Sequence, residues 1–178
     1  RVTNDRCIVF EEEKVLVIGD LHLGYEKALE DEGHSAYAVG GCVRDTLLDL
    51  EPYDYDLCTN ALPEETARLF PGHTLVRSGE KHGTIGVVID HTVYEITTFR
   101  TEGDYSDSRH PDWVEFVDHI EGDLARRDFT VNAMAADAEG LVTDLFGGME
   151  DLQAKRIRCV GTAVERVSAL VAKMLPAA

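Results

Sequence analysis

Two adjacent glycines, Gly40-Gly41, separate the apolar tetrapeptide Ala36-Tyr37-Ala38-Val39 from an amphipathic run, Val43 to Leu50. No other feature constrains the fold as strongly. A strand enters, two residues without a β-carbon turn the backbone, and a helix leaves. Such a turn brings backbone N–H groups within reach of a phosphate, and the helix start favours an anion. Arg44 lies one turn into that helix, where a guanidinium can pair with phosphate oxygens. An ordinary strand-to-helix connection with a surface arginine has the same pattern.

Asp54-Tyr55-Asp56 follows shortly after. In a strand, residues two apart share a face, so both carboxylates would sit side by side. They repel unless a cation joins them, and an all-oxygen pair suits Mg²⁺, which also takes phosphate oxygens. Surface turns of the same composition are common. Glu95 stands among the apolar residues of Val93 to Phe99. It either faces solvent by strand alternation or aims at a cation. In Arg126-Arg127-Asp128-Phe129-Thr130-Val131-Asn132-Ala133, Asp128 is placed to cap a following helix and Asn132 falls on the same side of it. The arginines suit a triphosphate. A capped helix with solvated arginines is the plainer reading.

The wider pattern predicts an α+β chain, a mixed sheet with helices packed on it. Cys7 to Phe10 and Val15 to Ile18 read as a hairpin or consecutive strands, Tyr25 to Glu32 as a helix ending at Gly33, and Ala36 to Val39 and Tyr55 to Cys58 as strands. Pro63 to Phe70 carries proline in its first turn and reads as a helix. His73 to Ser78, Thr84 to Ile89 and Val93 to Phe99 are β-rich, with Asp90-His91 as a tight hairpin connection. The polar stretch Gly103 to Asp112 reads as a loop. Asp118 to Arg126 and Phe129 to Ala136 read as helical, and Gly140 to Phe146 as extended. A short helix closing at Leu152, a strand Ile157 to Val160 and a final helix Thr162 to Leu175 complete the chain. Residues 1–33, 34–161 and 162–178 form the expected segments.

The net charge of −17, from 17 basic and 34 acidic residues, argues against coating nucleic acid by bulk charge, though not against a local basic patch. The four cysteines form no CxxC pair, which excludes a zinc knuckle and points to reduced thiols and a cytoplasmic address. The first residues lack the apolar core of a signal peptide, and no apolar run is long enough to span a membrane.

Taken in order, these motifs resemble class II CCA-adding tRNA nucleotidyltransferases and bacterial poly(A) polymerases. The resemblance rests on Ala36 to Asp45, Asp54-Tyr55-Asp56, His82 to Val88, Tyr94 to Arg100, Gly103 to Asp107, Arg126 to Ala133 and Leu145 to Leu152, and runs from about Ser35 to Gly161. It implies a nucleotidyltransferase head, a small mixed sheet flanked by helices, that transfers CMP or AMP from CTP or ATP to a tRNA or other RNA 3′ end. By the resemblance, Asp54 and Asp56 hold two Mg²⁺ ions and Glu95 is the third carboxylate. Gly40, Gly41 and Arg44 cradle the triphosphate, and Asp45 is a further nucleotide-binding residue. Arg126, Arg127, Asp128 and Asn132 touch the nucleotide, and Gly103 to Pro111 is the family's flexible loop.

Two departures stand out. The family's next helix carries an acidic pair and arginines that read the base. Here Val167 to Leu175 lacks that pair and places Lys173 where arginine is expected, so impaired base selection and weak tRNA gripping are expected. At the other end, Val15 to Glu26 resembles the first motif of calcineurin-like metallophosphoesterases, with Asp20 and His22 as its Asp-x-His pair. A chimera, with a structural rather than catalytic first segment, is the expectation. Its strands either extend the sheet or pair with a second copy through an exposed edge. A non-catalytic domain that at most binds Mg-NTP, and a phosphoesterase remnant, are the alternatives.

Overall fold

The computed structural model describes residues 2–3, 7–10, 15–18, 29–102 and 114–163. Strands β1 (Val2–Thr3), β2 (Cys7–Phe10) and β3 (Val15–Ile18) form an antiparallel sheet of their own. The first strands therefore extend no other sheet, although β3 lies against one outer strand of the large sheet, β12 (Val142–Asp144). The large sheet has seven strands in the order β12-β11-β4-β5-β8-β7-β6. Its other members are β4 (Ala36–Val39), β5 (Asp56–Thr59), β6 (Thr74–Val76), β7 (Thr84–Ile89), β8 (Thr92–Thr98) and β11 (Met134–Ala136). β5 and β8 run parallel, and the remaining pairs are antiparallel. A separate pair, β9 (Arg100–Glu102) and β10 (Val114–Phe116), follows the end of β8. The expected α+β class, with a mixed sheet and few helices, is what the chain adopts.

Period-two alternation sends successive side chains to opposite faces and builds a core on each. On one face, Ala36, Ala38, Leu57, Ile85, Val87, Ile96, Met134 and Ala136 pack with Cys42 and Val43 of helix α1 (Gly41–Leu47). Helix α2 (Pro63–Leu69) neighbours β7 and β8. On the other face, Val39, Cys58 and Ala135 meet Phe99 and the Ile120 and Leu124 side chains of helix α3 (Ile120–Ala125). Helix α4 (Gly148–Gln153) packs beside the chain entering β11. Among the described residues no helix is long and apolar enough to cross a membrane.

Several expectations hold to within a residue or two, including the strand-turn-helix at Gly40 and the hairpin at Asp90-His91. Both hairpin residues have positive φ, 46° and 68°, as a two-residue turn matched to strand twist requires. Others need correction. Phe129 to Ala136 is not a helix: a single 3-10 turn, Thr130–Asn132, leads into β11. The alanines there favour a helix by local propensity. Pairing on both sides, with β4 and β12, overrides it, and Ala133, Ala135 and Ala136 are fully buried. Consequently Asp128 caps no helix; its carbonyl instead accepts the Val160 N–H at 3.0 Å. Ile157 to Val160 contributes only one bridge, Phe129 to Cys159. The loop at 103–113 and the final helix beyond Ala163 lie outside the described residues.

Candidate functional site

Gly40 has φ 78° and ψ −127°, a backbone conformation that L side chains avoid. It lets the chain leave β4 and enter α1 directly, with the Gly40 N–H bonded to the Met134 carbonyl of β11 at 3.2 Å. A β-carbon on Gly40 would stand 2.9 Å from Nη1 of Arg127, and one on Gly41 would stand 3.6 Å from Nη2 of Arg44. Two guanidinium groups thus flank the glycine turn. Arg44 donates from Nη1 to Asn132 Oδ1 at 2.7 Å and from Nε to Asp45 Oδ1 at 2.8 Å. The turn, Arg44, Asp45, Arg127 and Asn132 therefore form one assembly.

Asp56 opens β5 directly beside Glu95 of β8 and opposite Val39 of β4. The row continues through Gly86 of β7 to Val76 of β6. Residues opposite one another in neighbouring strands share a face, so the two carboxylates project from the same side of the sheet. Asp54 precedes the strand instead of lying within it, so the pair is not held by strand alternation. It still reaches Asp56 electrostatically. Burial raises the Asp56 pKa, the charges of Asp54 and Glu95 raise it further, and Arg127 opposes them. Among the described residues no three His, Cys, Asp or Glu side chains are gathered into a ready metal cluster.

Asp123 was not singled out in the sequence, yet it anchors both arginines ahead of the 3-10 turn. Its fully buried carboxylate accepts Nε and Nη2 of Arg126 on Oδ1, at 3.0 and 2.7 Å, and Nε and Nη2 of Arg127 on Oδ2, at 3.3 and 3.0 Å. The signal was present as spacing, since Asp123 stands three and four residues before its partners on and just after α3. Arg126 and Arg127 therefore are not solvated ends of a helix. Asp128 lies beside this cluster, with its backbone tied to Val160.

The thiols adjoin this site as packing groups, with Cys42 Sγ 3.9 Å from the Asp56 carbonyl. Cys42 is buried behind the glycine turn, donates to the Val39 carbonyl at 3.2 Å, and has its pKa pushed up to about 11 by burial. Cys58, fully buried in β5, is raised well above the ordinary thiol value for the same reason. Both are packing residues in the protonated form. Asp20 and His22, the pair expected from the phosphoesterase resemblance, lie outside the described residues.

Comparison with known proteins places these features in a family. The Poly A polymerase head domain model matches residues 36–158. The CCA-adding enzyme of Bacillus cytotoxicus is 51% identical over 140 residues, which cover 79% of this chain and 35% of that protein. That of Geobacillus kaustophilus is 51% identical over 144 residues, 81% of this chain and 35% of that protein. The chain spans about a third of the length of these curated relatives. Among solved structures, the Bacillus stearothermophilus CCA-adding enzyme in complex with CTP superposes with a TM-score of 0.75 at 43% identity, over 85% of this chain and 36% of that one. The Thermotoga maritima CCA-adding enzyme complexed with tRNA gives 0.60 at 28% identity, over 76% of this chain and 31% of that one. With a matched span that runs from the start of β4 to Arg158 and contains the glycine turn, the carboxylate row and the anchored arginines, this chain belongs to the poly(A) polymerase head domain family.

Proposed function

We propose that the chain is the head of a template-independent RNA nucleotidyltransferase that transfers CMP or AMP from CTP or ATP to a tRNA 3′ end. One observation carries the reading: Arg44 and Arg127 converge on the Gly40–Gly41 turn while Asp56 and Glu95 stand side by side on the adjoining strands. Positive groups sit where a triphosphate would lie, and negative groups sit where cations would meet it.

Asp54 and Asp56 offer oxygen donors only, the set Mg²⁺ prefers. Burial first, and then the charges of Asp54 and Glu95, raise Asp56; a divalent cation would offset both the desolvated charge and the repulsion, so the residues fit the ion. Mg²⁺ held by Asp54 and Asp56 would supply Lewis-acid activation of the 3′-hydroxyl and charge neutralisation at the departing pyrophosphate. The chain's own residues supply the rest. Gly40 and Gly41 leave the backbone bare, so phosphate oxygens can approach N–H groups. Arg44, held by Asn132 and Asp45, and Arg127, held by Asp123, present preset guanidinium forks to those oxygens. Glu95 adds a third carboxylate on the same face.

These contacts address phosphate and ribose, which position a nucleotide without identifying its base. Base selection and tRNA binding are accordingly assigned to residues outside this head, and CTP and ATP are expected to bind it about equally. The Bacillus stearothermophilus enzyme was solved with CTP and the Thermotoga maritima enzyme with tRNA, which supports both partner classes. The deciding experiment is incubation with radiolabelled ATP or CTP, tRNA and Mg²⁺, alongside direct Mg-NTP titration. Incorporation, or saturable Mg-dependent binding lost in Asp56→Ala, supports the reading. Absence of both sinks it.

A further inference from the structure

Asp151 lies on α4, away from the phosphate groups assigned above, and its carboxylate is fully buried. Its Oδ2 accepts the Thr130 hydroxyl at 2.7 Å and Nε of Arg158 at 2.8 Å. Among the described residues Oδ1 has no hydrogen-bond partner, and Nη1 of Arg156 stands 3.4 Å from it at ion-pair distance. A buried charge is costly without partners, so Asp151 holds the two groups that hydrogen-bond its Oδ2, Thr130 and Arg158, in place.

What it touches is the 3-10 turn that carries Asn132. The Thr130 N–H donates to the Arg158 carbonyl at 2.9 Å, and the Ala133 N–H closes the turn on the Thr130 carbonyl at 3.0 Å. From the other side Gly148 presses on the same residue: a β-carbon there would come 2.3 Å from the Thr130 carbonyl oxygen. Thr130 is thus clamped through its hydroxyl, its N–H and its carbonyl. Two residues on, Asn132 Oδ1 receives Arg44.

We propose that Asp151 is a positioning residue for the nucleotide site, acting through the Thr130 hydroxyl to set the turn that aims Asn132 at Arg44. This rests on the reading of Arg44 as a phosphate-binding group. It assigns Asp151 no contact with substrate.

Thr130→Val removes the hydroxyl at nearly constant volume, Thr130→Ser restores it, and Asp151→Asn tests the acceptor. Each is compared with the unmodified chain for Mg-ATP affinity and for amide hydrogen exchange at Asn132 and Ala133, at a temperature where all are folded. Thr130→Val is expected to weaken Mg-ATP binding roughly tenfold, the worth of one hydrogen bond to a charged group, and to speed exchange at both amides. Thr130→Ser should behave as the parent chain. A valine variant that loses thermal stability but keeps parental affinity and exchange overturns the proposal, because a merely structural clamp predicts that pattern. Should the unmodified chain bind no Mg-ATP, the proposed function falls, and amide exchange alone decides for or against the role of Asp151. If Asp151→Asn fails to fold, the threonine pair carries the test.

Discussion

Arg44 Nη1 donates to Asn132 Oδ1 at 2.7 Å across 88 positions of sequence. One residue belongs to the helix leaving the glycine turn and the other to the 3-10 turn that enters β11. The bond ties the two elements together and makes them one surface. Asn132→Ala leaves Arg44 with Asp45 as its remaining partner in this pair of contacts. Mg-NTP affinity should fall about three- to tenfold, the worth of a charge-assisted hydrogen bond, with kcat less affected than KM. Steady-state kinetics across ATP concentration reads the split.

Asp54→Ala and Asp56→Ala should each abolish Mg-dependent incorporation while the circular dichroism spectrum stays native. Removing a ligand removes charge neutralisation at the phosphate, worth several kcal/mol by order of magnitude. Retained incorporation in either variant removes that residue from the metal-binding set.

The raised pKa of Asp56 has a consequence for stability. The folded chain holds this proton more tightly than the unfolded chain does, so stability falls as pH rises through the carboxylate range. Asp56→Asn should therefore melt a few degrees higher than the parent at neutral pH without divalent cation, and the gain should vanish below about pH 3.8, the ordinary value for this group. For Asp151 the sign reverses. The Thr130 hydrogen bond leads in lowering its pKa, with Arg158 next. Its contribution is present above the ordinary value and is lost as pH falls through the lowered one. Melting curves between pH 2 and pH 7 test both.

Gly40→Ala combines two penalties. A positive φ with ψ −127° is a region L residues rarely enter, at a cost of roughly 1–3 kcal/mol, and the new methyl group would crowd Arg127, 2.9 Å away. Loss of Mg-NTP binding should exceed what the stability loss explains at a temperature where the variant is folded. Calorimetric titration with ATP and Mg²⁺ decides it, and unchanged affinity would remove Arg127 from the phosphate site.

Affinities for the four Mg-NTPs should lie within a few fold of one another, because phosphate contacts carry no base information. Competition titrations against one labelled nucleotide measure this directly. A strong preference for a single base would show that described or neighbouring residues read it after all.

Local chemistry was enough to write down the turn at Gly40, the hairpin at Asp90-His91 and most strand positions. Glycine freedom, two-residue turn geometry and strand alternation act over a few residues, and no distant partner is needed to reveal them. The candidate residues Asp56, Glu95, Arg44, Arg127 and Asn132 were equally legible as types in motifs. Their assembly was not. Asp56 meets Glu95 because β5 and β8 pair in parallel, a crossover that no local pattern encodes. The alanines after Asn132 favour a helix in isolation, and only pairing with β4 and β12 draws them into a strand. Asp54 drops out of its strand because β5 starts at the point where Val39 ends β4. The anchoring carboxylates Asp123 and Asp151 took their roles from burial, which makes an unpartnered charge costly and so fixes each guanidinium beside it. Sequence determined which groups were available; long-range strand pairing and the exclusion of water determined which of them face one another.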